Sequence, residues 1–414
     1  MAAKPYVSDA PGTTWYVASD AVDGAGDGSL DNPYSLSDAL SLTWDDARPG
    51  DTFLLRGGTY SGDFTCTLRG MGRRPITIRP YPGEVVVIDA GLDFQGAYTL
   101  WDCDHRIVFR WSKWTGRENT TGTGPDGLNW KPFDIYTPGI QFRNAIIHDY
   151  SNVGLWDTAT GAAYYGCVTY NIGYLDTDRG HGHILYTQND TPAKLIKHCM
   201  GFNNFGWGVH AYTENGAINN FEFVENVMFR CGILDRNGAH PNFLLGGGKV
   251  ADTSLWDGNC AYGPNLQFYG KGATNVTFTD NYLPGGVTGT VEYVTNENNV
   301  TAPPAEGGTH IRLYADDYDA NRAYLVIYNW DNLDDVSVDV SGMFEAGDTL
   351  YLWSVQAGVN EAGERQDRAP YTVAPDGTIT VDMRASEHPV ATPYQWTAPD
   401  TTFPTFGAFV VERE

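Results

Sequence analysis

Six residues fall into one column when the chain is cut into unequal lengths: Asn144, Cys167, Cys199, Asn226, Asn259 and Asn281. The steps between them are 23, 32, 27, 33 and 22 residues. One residue further on stand Ala145, Val168, Met200, Val227, Cys260 and Tyr282. Three residues on stand Ile147, Tyr170, Phe202, Phe229, Tyr262 and Pro284, apolar in all but the last. A column that survives changing spacing describes a coil in which strands are fixed and connections vary. In a solenoid of parallel strands each turn stacks on the one before it. An Asn at a bend can then bond to the Asn above and below and satisfy the bend's backbone, and a small Cys fills the same slot.

Short strands with turn residues surround this column. "GDTFLLRGGTYSG", "RPITIRPYPGEVVVIDAG" and "HRIVFRW" have short apolar runs, Gly or Pro-Gly turns and little helical periodicity, which predicts an all-β fold. The helix candidate is "SLSDALSLTWDDA", capped by Ser35 or Ser37, with Leu36, Leu40 and Trp44 on one face. After "NENNVTAPPAEGGTH" the column stops. Alternating strands follow in "AYLVIYNW", "VSVDVS", "DTLYLWSV", "TITVDM" and "FGAFVVERE". The division predicted is residues 1–305, with a cap at about 13–60, and a C-terminal β-sandwich at 306–414. The second part serves as a cap for open strand edges or as a sugar-binding module.

The stretch "WYVASDAVDGAGDGSLDNPYSLSDAL…ARPGDTFLLRGGTY…RPITIRPYPGEVVVIDAG" resembles the opening of right-handed parallel β-helix proteins of the pectate-lyase-like superfamily. The resemblance covers about residues 13 to 300. It implies a first strand, an N-terminal capping helix and the first coils. Because this fold hosts lyases, hydrolases, epimerases and phage tailspikes, it implies a class of substrate more than a reaction.

Candidate chemistry lies between Gly180 and Asn215, where "HILYTQN" is echoed 26 residues later by "VHAYTEN". The echo sets Tyr186 over Tyr212, Gln188 over Glu214 and His183 over Val209. Strand alternation gives Val209 and Ala211 to the core, so His210, Tyr212 and Glu214 project outward and form a groove with Tyr186 and Gln188. His183 points inward unless a bulge at Gly180 or Gly182 turns it out. His181 precedes the strand and is accessible. The "GHG" here is similar to the histidine motif of polygalacturonases, but that family's carboxylates are missing, which leaves acid–base hydrolysis without machinery. "DTDRGHGH" loosely resembles the Asp/His stretch of β-helix mannuronan epimerases.

Removal of the proton beside a uronate carboxyl needs a base, an acid and a group that neutralises the carboxylate. His181, His183, His210, Tyr186 and Tyr212 are the candidates for proton transfer, and Arg179 or Lys197 for neutralisation. Trp111, Trp114 and Trp130 sit on a long insertion, "WSKWTGRENTTGTGPDGLNWKPFDIY". With Trp207 they offer faces for pyranose rings. His240 and Asn242 in "DRNGAHPN" extend the groove. Asp23, Asp27 and Asp31 on a Gly-rich loop are candidate Ca²⁺ ligands, and no organic cofactor is expected.

A net charge of −25 argues against nucleic acid as a partner. No apolar run reaches membrane-spanning length. The six cysteines have no close CxxC pair, and Cys167 and Cys199 read as buried free thiols. "MAAKPYVSDAPG" lacks an apolar signal region, so the chain is either trimmed or leaves its cell by another route, such as within a virus particle. The expectation is an extracellular or virion-associated β-helix acting on polysaccharide. A lyase on a uronate-containing polymer comes first. The alternatives are a virus-borne depolymerase or receptor-binding spike, trimeric where a lyase could be monomeric, and a glycoside hydrolase or non-catalytic surface β-helix.

Overall fold

The structure, a computed structural model, describes residues 12–111, 133–150, 155–235, 237–238, 240–394 and 396–414. Trp114 and Trp130 lie outside the described residues. The chain divides into two compact units, Met1–Thr301 and Ala302–Glu414.

The first unit is a right-handed parallel β-helix whose strands join into one 24-stranded sheet. Each coil contributes to three faces. The first face carries Gln141–Arg143, Ala163–Tyr165, Lys194–Lys197 and Asn219–Val224 in parallel register. On the second, Ile146–His148, Val168–Tyr170, Met200–Phe202, Val227–Phe229 and Cys260–Tyr262 pair in order. The third carries Leu155–Asp157, Leu185–Thr187, Val209–Thr213 and Phe243–Gly247, followed by the start of Leu266–Thr279. Inward residues of the three faces, such as Ile196, Val209, Phe223, Trp256 and Phe268, form one continuous core.

The bend between the first two faces holds the predicted column. Asn226 N–H donates to Asn259 Oδ1 at 3.1 Å and Asn259 N–H to Asn281 Oδ1 at 3.0 Å. The side-chain amides repeat the link: Asn226 Nδ2 reaches Asn259 Oδ1, and Asn259 Nδ2 reaches Asn281 Oδ1, each at 2.9 Å. Each Nδ2 also donates to a carbonyl of the core strand, Ile196 for Asn226 and Phe223 for Asn259. The ladder is fed by Cys199 N–H and runs one coil further than expected, to Asn299.

Asn144 is displaced from its predicted place. Ile146 pairs with Val168, which sets Ala145 opposite Cys167. Asn144 stands instead in the preceding column, with Gly166, His198, Glu225, Gly258 and Asp280, each at a φ between 52° and 65°. Asn serves both columns, because it tolerates the left-handed region as well as bonding to the backbone.

All six cysteines are buried free thiols. Ser35 caps the helix Leu36–Ser41, its Oγ accepting from Asp38 N–H at 3.1 Å, and Leu36, Ala39 and Leu40 are buried. Trp44 departs from the predicted apolar face. The helix ends at Ser41, the chain turns, and the indole is left 47% exposed.

The second unit has a five-stranded antiparallel sheet, ordered Thr309–Ala315, Arg322–Asn329, Phe406–Arg413, Thr349–Ser354 and Arg368–Thr372. A two-stranded sheet pairs Asp335–Asp339 with Thr378–Asp382. Leu325, Ile327, Val338, Leu352, Val381 and Phe409 share its core, and the arrangement is that of a β-sandwich.

Replacing Asn259 by Ala removes partners from Asn226 N–H, Asn226 Nδ2 and Phe223 O inside the wall. At about 1–3 kcal/mol for each stranded group, Asn259→Ala is expected to lower stability by about 3 kcal/mol or more, read as a fall in the urea midpoint. A loss under about 1 kcal/mol would mean that the ladder is dispensable.

Candidate active site

The site forms on the third face and on the connections that lead into it. Leu185 pairs with Val209, Tyr186 with His210 and Thr187 with Ala211. The sequence echo had placed Tyr186 over Tyr212, two residues away. A slip of two leaves every side chain on the same side of the strand, so alternation cannot detect it. The register follows the inward stack of Leu185 on Val209 and leaves Val209 and Ala211 in the core as expected.

His210 faces outward but is not accessible: only 8% of it is exposed. Four rings close over it. The centroids of His183, Tyr186, Tyr212 and Trp207 lie 4.4, 4.9, 5.0 and 5.2 Å away. His183, expected inward opposite Val209, has joined this outer layer. Gly182 takes φ +124°, and Ile184 and Leu185 both enter the core, which turns His183 out. Its Nε2 sits 3.4 Å from His210 Nδ1.

Two imidazoles this close and this buried cannot both carry charge. Burial, then the neighbouring His210 and Arg179, holds His183 well below the usual range. Burial, then Arg179 and His240, holds His210 down at about 3. The pair is therefore uncharged near neutrality, one ring offering N–H and the other a lone pair. Burial and the Glu214 charge push the Tyr186 phenol up to about 12, so it stays protonated.

Three connections from successive coils complete the site: residues 171–184, 203–208 and 230–242. Asn204, fully buried, ties them together. Its Nδ2 donates to Gly182 O and Trp207 O, and its Oδ1 accepts from Gly232 N–H at 3.0 Å. The Arg179 guanidinium lies 4.8 Å over the Trp207 ring. His240 packs on the same ring at 4.4 Å. Its Nε2 is 2.7 Å from Oδ2 of Asp235, a carboxylate with no solvent exposure. The carboxylate accepts a hydrogen bond from Nε2–H, which in the neutral ring leaves the lone pair on Nδ1. His181 is partly exposed, stacked on Tyr174 at 5.3 Å, with Nε2 2.9 Å from Asp178.

Beyond this cluster an outward aromatic row runs over successive coils. Trp156 stacks on Tyr186 at 4.6 Å, Tyr212 follows, and Tyr269 lies 6.1 Å from Tyr212. Gly246 occupies the register position between those two tyrosines. Sequence reasoning missed Trp156, Tyr269 and Asn204. Parity against Tyr186 would have found the first; nothing local marks the others.

Other predicted residues lie elsewhere. Lys197 is on the first face, 3.5 Å from Glu225. Trp111 is in the core rather than on an exposed loop, because it continues the strand Ile107–Arg110 inward. Asn242 is buried and binds Pro264 O, Tyr262 O and Cys231 N–H, which makes it part of the frame. Gln188 is half-buried, and its carbonyl accepts from the buried Lys194. Glu214 is exposed and accepts from the Tyr212 hydroxyl. Asp23, Asp27 and Asp31 are exposed and not gathered, and Asp27 is used within its own turn, accepting from Ser29 N–H. Among the described residues the group of three ligand-type side chains is Asp176, Asp178 and His181.

No family model matches the chain. A 76-residue segment is 38% identical to pectate lyase PEL9 of Emericella nidulans; it spans 18% of this chain and 18% of that protein. Among solved structures the chain is similar to pectate lyase Pel9A, at 14% identity and a TM-score of 0.43, over 72% of this chain and 82% of that one. It is also similar to a mannuronic acid specific polysaccharide family 6 lyase from human gut microbiota, at 15% identity and 0.38, over 62% and 63%. A third is a glycoside hydrolase, at 10% identity and 0.39, over 70% and 96%.

An unfolded imidazole titrates near 6.5, and His210 in the fold near 3. Between those values the unfolded chain binds a proton that the folded chain refuses. Stability is thus full above about pH 6.5 and falls as the pH drops towards about 3. The urea midpoint is expected to decline between about pH 7 and about pH 4.5, and His210→Gln should lose less over that interval. Equal declines would place the acid sensitivity elsewhere.

Proposed function

We propose that the chain is a polysaccharide lyase that cleaves a uronate-containing polymer by β-elimination, acting outside the cell or on a virion. The observation that carries this reading is the sharing of one indole by two unlike groups. Arg179 and the Asp235-held His240 both pack on Trp207, 4.8 and 4.4 Å away. The row Trp156, Tyr186, Tyr212 and Tyr269 gives an extended polymer a surface along the coils.

In this reading a uronate carboxylate is bound by Arg179, whose planar fork matches it in two bonds. Neutralising that carboxylate makes the adjacent carbon acid stronger. His240 Nδ1 takes the proton from that carbon, and Asp235 stabilises the imidazolium formed. The electron pair forms a carbon–carbon double bond as the neighbouring glycosidic C–O bond breaks. The leaving oxygen takes a proton from a phenol, for which Tyr186 is placed at the floor of the row. His210 does not reach substrate. It supports Trp207 and keeps the floor uncharged, so that Arg179 is not repelled.

Incubation with pectate and with alginate tests the proposal, because an unsaturated uronate end has its own ultraviolet absorbance. Arg179→Ala and His240→Ala are each expected to lower kcat/KM by about 10²-fold or more with the fold intact. Full activity in His240→Ala would move the base elsewhere. Reducing ends without absorbance would make the chain a hydrolase. No cleavage of these or of other uronate polymers would end the enzymatic reading.

A further inference from the structure

Another cleft lies at a different corner of the β-helix, where the chain enters three neighbouring strands of the first face. Thr13 precedes Thr14–Val17, Asp51 precedes Thr52–Leu55, and Arg74 precedes Ile76–Pro80. With Trp44, Arg48 and Met71 these residues line a cleft of about 460 Å³. The catalytic candidates stand on the third face and on the connections that lead into it, several coils away.

Three features of this cleft need a cause. First, Trp44 and Met71, both lining the cleft, expose 47% and 55% of their surface. Second, Arg48 and Arg74 are exposed, and among the described residues neither guanidinium enters an ion pair or a ring contact. In a chain with 51 acidic and 26 basic residues, two guanidinium groups in one cleft, neither of them ion-paired among the described residues, are not expected from composition. Third, the acid within the cleft is held by backbone and indole donors and by neither guanidinium. Asp51 is buried and accepts from Thr13 N–H, Trp15 Nε1–H and Arg48 N–H at 2.8, 3.1 and 2.9 Å. Asp46, next to the cleft, accepts from the Thr43 hydroxyl at 2.8 Å.

We infer that this cleft is a second, non-catalytic binding site for an acidic saccharide. A flat apolar ring takes the face of a pyranose, and two free guanidinium groups take the carboxylates of that sugar and its neighbour. A neutral sugar would use the ring and leave both charges idle. The choice of saccharide over other anions rests on the proposed lyase activity. Such a site would keep a long polymer on the protein between cleavages.

The test uses the full-length chain carrying Arg179→Ala, which silences the proposed groove, and titration calorimetry with pectate and alginate hexasaccharides. Residual binding is expected. It should weaken with added salt and be absent for cellohexaose. Adding Trp44→Ala, or Arg48→Ser with Arg74→Ser, should weaken it by about tenfold or more. All three side chains are exposed, so an unchanged melting temperature will show that the variants fold. Binding that survives both sets of changes overturns the site, as does no residual binding of either acidic oligosaccharide. If residual binding depends on Trp44 but the parent chain cleaves no polymer, the site stands and the lyase reading falls. Cleavage with unaltered binding in the cleft variants removes the cleft alone.

Discussion

Everything in the first unit depends on how a bend is held inside a wall of parallel strands. A bend has to stop the ladder of one face and start another, and its amides then face neither solvent nor a strand partner. Asn226, Asn259 and Asn281 solve this by bonding to the backbone of the preceding coil and to each other at once. Because each link joins one coil to the next, the chain between links is free to vary. The connections into the third face use that freedom. One is fourteen residues long, from Asn171 to Ile184, and the next only six, from Asn203 to Gly208.

Those unequal connections build the site. Short ones could not cover the third face, and long ones alone would have no anchor. Asn204 supplies the anchor, holding segments of three coils by one buried amide. The layer that results is economical with charge. Arg179 is the permanent cation, and the two imidazoles beneath it are kept neutral by burial. Had they ionised, three positive charges would crowd one patch, at a Coulomb cost that falls only slowly with distance in so sheltered a place. A neutral floor adds no repulsion to Arg179, whose Nε lies 3.9 Å from Asp178.

Much of this was legible in the residues. The Asn column predicted parallel stacking, the apolar positions beside it predicted the wall, and the strand pattern after residue 306 predicted a second β unit. The inward and outward sets of "VHAYTEN" were also read correctly. Three differences each have their own cause. Asn144 was set one place off because two adjacent columns accept Asn. The echo was misregistered by two because parity is unchanged by that slip. Alternation sends His210 outward into the groove but does not make it exposed, because four neighbouring rings cover it.

The sequence alone determined the things that repeat: strand period, coil stacking, the inward set Val209 and Ala211, and the buried state of Cys167 and Cys199. These follow from local alternation and from residues that suit one backbone position, so each coil carries its own instruction. Only the tertiary structure decided which rings meet, that His183 leaves the core, that Arg179 and His240 share Trp207, and that Trp44 is left standing in a cleft. Those are contacts between coils whose connections differ in length. The distance between two such residues is set by the path of the intervening chain, and no local pattern encodes that path.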